Sequence, residues 1–151
     1  MTTPTLESQW LGTLRAGIVT PHPVGENLLV FNVLDGALEG PRVNAKALAP
    51  SGDWIQVQPN GNWKLDVRLL FQTSDDEIIF CYYNGVLKAD ESVFQRINAG
   101  ESVPGSDMYF RSTPYFQTSS PKYAWMNDIA CVGTMRSFGD GVVLYDLFEI
   151  L

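Results

Sequence analysis

One histidine, two cysteines and ten lysines and arginines are all that this chain of 151 residues carries of the side chains that most often bind metals, form crosslinks or hold polyanions. His22 stands between prolines in Thr20-Pro21-His22-Pro23, a solvated loop by composition, and no second histidine or cysteine cluster gives it zinc-like spacing. No metal is expected. Cys81 and Cys131 each fall inside an apolar run, where a thiol acts as a small buried hydrophobe, and a chain of this length needs no disulfide. Ten cations against seventeen acids leave a formal net charge of −7, which disfavours nucleic acid or an anionic membrane surface as partner. No apolar run approaches the roughly 18 residues that span a bilayer, and Met1 to Trp10 lacks the regions of a secretion signal, so a cytoplasmic protein is expected. Also missing are a Gly-rich phosphate loop, a GxSxG elbow and a CxxC pair. Nicotinamide, flavin and serine-hydrolase chemistry thereby lose their signatures, and no cofactor is expected.

What the chain does have is 45% hydrophobic residues, 13 glycines and nine prolines, the composition of one turn-rich domain over residues 1–151. A first strand is expected from near Trp10, a second over Asn27 to Leu34, and turns at Asp35-Gly36 and Glu39-Gly40-Pro41. Arg42 to Leu48 alternates weakly until Ala49-Pro50-Ser51-Gly52 breaks it and delivers Asp53 to Val57. Asn60-Gly61 tolerates the positive φ angles of a type I′ hairpin turn. It leads into Trp63 to Gln72, where Leu65, Val67, Leu69 and Phe71 share one face and Lys64, Asp66 and Arg68 the other. Ile78 to Tyr83 reads as a strand that turns at Asn84-Gly85, and Val142 to Leu151 as the closing strand. The only helix signal is Asp90 to Ala99, with an acidic start, a Val93-Phe94-Ile97 stripe and Gly100 as its stop.

Chemistry concentrates in Met108 to Asn127, where six aromatic rings accompany Arg111 and Asn127 within twenty residues. Stiff apolar walls with a few directional polar groups suit a pocket for a small organic molecule; the plainer reading makes the same rings core and cross-strand fillers. Arg111 among aromatics can hold a developing oxyanion with two parallel hydrogen bonds, or pair structurally with Asp66 or Asp53. Asp53 beside Trp54 can sit in a partly apolar setting that raises its carboxyl toward the range useful for proton transfer, or simply cap the turn after Gly52. Asp66 and Arg68 form an exposed pair if the apolar face of their strand points inward, and a polar patch of the lumen if a barrel reverses that face.

Tyr109-Phe110-Arg111-Ser112-Thr113-Pro114-Tyr115-Phe116 and Tyr123-Ala124-Trp125-Met126-Asn127 resemble the domain of unknown function 3237 family. So do Gly40-Pro41-Arg42-Val43, Gly52-Asp53-Trp54, Leu65-Asp66-Val67-Arg68 and Cys131-Val132-Gly133, in that order. The resemblance implies an all-β fold, a single antiparallel β-barrel of calycin or lipocalin type, here with one short helix. It also implies, through fungal members, a cofactor-free enzyme that closes a ring or rearranges a hydrophobic secondary metabolite. In that reading Asp53 or Asp66 moves a proton, and Arg68, Arg111 and Asn127 steady oxygen charge. Trp54, Tyr83, Tyr109 and Trp125 supply walls that fix the substrate's geometry. A non-catalytic barrel binding a lipophilic metabolite uses the same pocket, and a homo-oligomer interface uses the same aromatic residues.

Overall fold

The computed structural model describes residues 1–151. Its strands are β1 (Ser8–Gly17), β2 (His22–Val24), β3 (Leu28–Asn32), β4 (Gly36–Glu39), β5 (Asn44–Val57), β6 (Trp63–Thr73), β7 (Ile78–Lys88), β8 (Val103–Pro104), β9 (Tyr109–Ser112), β10 (Tyr115–Gln117), β11 (Cys131–Gly139) and β12 (Val142–Ile150). One helix, α1 (Glu91–Asn98), lies between β7 and β8, and short 3-10 turns occupy Gly105–Asp107 and Ala124–Asp128.

Eight strands close on themselves. Antiparallel pairing runs from β1 through β4, β5, β6, β7, β9, β11 and β12 and returns to β1. The barrel expected from the resemblance is therefore present, with β2 and β3 extending from β5, β10 from β7, and β8 from β11. Closure leaves no edge in the ring, and eight strands give an interior just wide enough for side chains or one small ligand. The inward faces fill it: Leu38, Phe71 and Ile79 are wholly buried, and Phe110 and Leu147 nearly so. Where β1 meets β4, Gly12 and Gly40 face each other's backbone so closely that a Cβ on either would strike a carbonyl oxygen. Glycine is required there by proximity.

Several sequence expectations shift in the fold. The segment between the two turns at Asp35 and Gly40 is a strand, β4, too short for its period to show. Ala49-Pro50-Ser51-Gly52 bends β5 without ending it: the register slips between Leu48 and Gly52, and there Ser51 Oγ donates to the Leu48 carbonyl and accepts the Leu70 N–H. The bulge lets the first half of β5 pair with β4 and the second half with β3. Asn84-Gly85 does not turn, because β7 pairs with β6 and β9 straight through to Lys88. His22 is exposed as expected, but in the edge strand β2 and not in a loop.

The barrel's two ends are built differently. At one end Trp63 of β6 meets Phe94 of α1 with ring centroids 5.1 Å apart and Phe138 of β11 at 6.2 Å. At the other, residues 118–130 fold across the barrel, burying Tyr123 and Met126.

Candidate active site in the barrel cavity

Past the Ser51 bulge, β5 places Asp53 and Ile55 on the inward face and Trp54 and Gln56 on the outward one. Asp53 thus enters a cavity of about 70 Å³ toward the Trp63 end, lined by Leu14, Val67, Phe110, Met135 and other apolar side chains. The residue as a whole is half-buried, yet its Oδ1 is completely buried and has no hydrogen-bond partner. Burial in this apolar wall pushes the carboxyl up to about 7; a backbone amide of Asp66 opposes the rise and the Asp66 charge adds to it.

Two phenols share the cavity with it. Tyr83 of β7 and Tyr145 of β12 are buried, and burial is the first reason that both hydroxyls are held above their ordinary range. A negative Asp53 raises each of them further, so the three groups form one electrostatic unit. Tyr145 is held in place by Phe110, whose ring stacks on it at 4.7 Å. The cavity's polar groups, among them Arg15 and Asn32 in its lining, thus include one carboxyl poised near neutrality and two phenols that stay protonated. Such a carboxyl gives up or accepts a proton at pH 7 with little driving force lost, and neutral phenols donate hydrogen bonds to developing oxygen charge.

The other sequence candidates lie elsewhere. On β6 the inward positions are taken by Leu65, Val67, Leu69 and Phe71, so the lumenal alternative for Asp66 and Arg68 is overturned. Both are exposed, their closest approach is 4.0 Å, and such a surface pair contributes little. Trp54 and Tyr109 are exposed on the outer wall, 40% and 44%. Arg111 is outside too, donating to the Phe110 carbonyl and lying 4.6 Å over the Tyr109 ring, with no ion pair to Asp53 or Asp66. Trp125 sits at the closed end under Arg42, 3.6 Å from its guanidinium carbon. Asn127 pins the loop that closes this end: its Oδ1 accepts the Thr118 N–H at 2.8 Å and its amide donates to the Thr118 carbonyl at 3.0 Å.

Of the nine candidate residues, Asp53 and Tyr83 come together in the cavity and the other seven do not. The aromatic stretch divides by parity: Phe110 and Phe116 point in, Tyr109 and Tyr115 point out. Tyr145 went unnoticed in the sequence. Its one signal was the alternation of Val143, Tyr145 and Leu147 in the closing strand, which marks an inward face but not a site.

Fold and site together define a small antiparallel barrel with a single acid facing a mostly apolar lumen. The chain belongs to the family described as protein of unknown function (DUF3237), which it matches over residues 4–150. It is 28% identical over 153 residues to a UPF0311 protein of Rhodopseudomonas palustris strain TIE-1, with 99% of each chain covered. A crystal structure of a conserved protein of unknown function from Rhodopseudomonas palustris is similar with a TM-score of 0.90 and 25% identity, over 99% of this chain and 100% of that one. A crystal structure described as an enzyme from Penicillium herquei shares the fold with a TM-score of 0.69 at 17% identity, over 100% of this chain and 99% of the other.

Proposed function

We propose that the protein is a cofactor-independent enzyme that closes a ring in, or isomerises, a hydrophobic small molecule held in the barrel cavity, with Asp53 as its proton donor and acceptor. The observation that carries this reading is the fully buried, unpartnered Oδ1 of Asp53 facing a mostly apolar cavity. A structural carboxylate satisfies its oxygens; one left unsatisfied among apolar walls is arranged to meet a group that arrives with the substrate. The description of the Penicillium herquei protein of the same fold as an enzyme lends support.

In a hydroalkoxylation the neutral Asp53 carboxyl protonates an alkene carbon, the substrate's own hydroxyl oxygen bonds to the resulting cation, and the hydroxyl proton returns to Asp53. Product and substrate are isomers, and the acid is regenerated. Tyr83 and Tyr145 orient the hydroxyl and Phe110 walls the apolar part of the substrate. A pericyclic closure in the same cavity would draw on shape alone, and fixing geometry by itself can supply on the order of 7 kcal/mol. The cavity of about 70 Å³ is far below the roughly 300–1,000 Å³ of drug-sized pockets, so a substrate of that size requires the cavity to widen.

The test incubates the purified protein with metabolite extracts and follows bound and altered compounds by mass spectrometry. A compound converted to a product of equal mass, with conversion lost in Asp53→Asn, supports acid-catalysed cyclisation. Conversion retained in Asp53→Asn assigns a pericyclic closure, and a compound that co-purifies unchanged assigns a binding barrel.

A further inference from the structure

On the outer side of the wall that carries Tyr83, the outward residues of β7 form the floor of a second concavity. Asn84 and Val86 are short, whereas the side chains beside them are long: Lys64 of β6 and Arg111 of β9 are the cross-strand partners of Val86 on its two sides. A trough results, of about 620 Å³ around Val86 and Asn84, continuing as about 490 Å³ over Tyr82. Lys64 and Arg111 stand two strands apart, a span of about 10 Å.

Its two halves differ in chemistry. The Val86 half carries Lys64 and Arg111, with Lys88 just beyond it, 4.4 Å over the Tyr109 ring that also carries Arg111; Asp66 lies where the two halves meet, 4.0 Å from Arg68 of the Tyr82 half. The Tyr82 half is aromatic, with the rings of Phe80, Tyr82 and Tyr115 in a row at 5.4 and 5.7 Å. Arg15, Arg42, Arg96, Lys122 and Arg136 all reach a carboxylate within 3.2 Å, but Lys64, Lys88 and Arg111 form no ion pair at all. Lys46 is the one other unpaired cation, so three of the four in a chain of net charge −7 gather on one face. A second copy docked face to face would oppose like charges, which disfavours that occupant.

We propose that this trough is a second ligand site, separate from the cavity and independent of the activity assigned to it. Its ligand class is an elongated small-molecule carboxylate with a flat apolar body. The carboxylate lies between Lys64 and Arg111, Asn84 and Thr113 contribute hydrogen bonds in the middle, and the body rests against Tyr82 and Tyr115. The trough is open to solvent along its length, and its volume of about 620 Å³ leaves room for such a ligand.

Titration of the isotope-labelled protein with 2-naphthoate, followed by amide chemical shifts to about 10 mM, tests it. Saturable shifts at Tyr82, Asn84, Val86 and Thr113 are expected. They should weaken about tenfold in the Lys64→Gln/Arg111→Gln double variant and about tenfold when uncharged 2-naphthol replaces the carboxylate. The two substitutions are at exposed positions, and unchanged shifts elsewhere in the spectrum verify the fold. Shifts confined to cavity residues such as Leu14 and Tyr145, no saturation, or saturation unaffected by the double substitution would overturn the proposal. So would a dimer in sedimentation equilibrium that Arg68→Gln dissociates, since a second copy would then own the face.

Discussion

Two aspartates sit toward opposite ends of the barrel and are treated in opposite ways. Asp75, at the tip between β6 and β7, accepts hydrogen bonds from Lys122 Nζ at 2.8 Å, Thr73 Oγ1 at 2.6 Å and the Tyr123 hydroxyl at 3.0 Å. Lys122 above all, then Thr73, holds its carboxyl well below the usual carboxylate range. Asp53 has no side-chain partner, and burial drives its carboxyl up to about 7. The first fastens residues 118–128 across the closed end; the second is left unsatisfied beside a cavity. The catalytic role proposed for Asp53 rests on this contrast between an acid satisfied in one place and one left without a side-chain partner in another.

The largest effect should come from Asp53→Asn. Loss of the proton donor is expected to slow cyclisation by about 10²–10⁴-fold, read from product formation by mass spectrometry. The same change should make the protein more stable above neutrality. The folded carboxyl titrates near 7 and the unfolded one near its ordinary 3.8, so the folded state binds the extra proton between those values. Stability therefore declines as pH rises through that window, by on the order of 2–4 kcal/mol once it is crossed. Urea midpoints at pH 5 and pH 8 should differ clearly for the native protein and little for the variant.

Phe110→Ala is the next largest. It removes a nearly wholly buried ring that lines the cavity and supports Tyr145, and should cost about 3–5 kcal/mol in urea unfolding, with activity lost through a displaced phenol. At the closed end, Tyr123→Phe removes one hydrogen bond to Asp75 from a buried ring, and about 1 kcal/mol is expected with turnover unchanged. Arg68→Gln on the outer wall should move stability by less than about 0.5 kcal/mol and leave cyclisation alone, because its contact with Asp66 is long and exposed. If Tyr123→Phe impaired turnover as strongly as Asp53→Asn, the contrast between the two ends would collapse.

Local chemistry made much of the fold readable. Asn60-Gly61 marked the β5–β6 hairpin, the alternation from Trp63 to Gln72 gave β6 and its two faces but not which one is inside, and Asp90 to Ala99 gave α1 within a residue at each end. The errors came where tertiary pairing overrode a local signal: Ser51 repairs the backbone at a site that reads as a break, and two flanking strands carry β7 past Asn84-Gly85. The site was half legible for a related reason. Asp53 and Trp54 are adjacent, and alternation says that they face opposite ways without saying which is inside; only the bulge at Ser51 sets that parity. Residues clustered in sequence, such as Met108 to Asn127, scatter in space because a strand alternates and then crosses to the far end of the barrel. Tyr145 joins Asp53 only through closure of the ring, which no local window contains.

The central claim is that Asp53 is a carboxyl held near neutrality in an apolar cavity, and its side-chain carboxyl carbon reports this directly by NMR. A titration followed on protein labelled at aspartate, with Asp53→Asn assigning the signal, should give a midpoint near 7 for Asp53, while Asp75 titrates below the usual carboxylate range. A midpoint for Asp53 near the ordinary 3.8 would mean that solvent reaches the carboxylate freely, and would contradict both the electrostatics of the cavity and the catalytic role assigned to it.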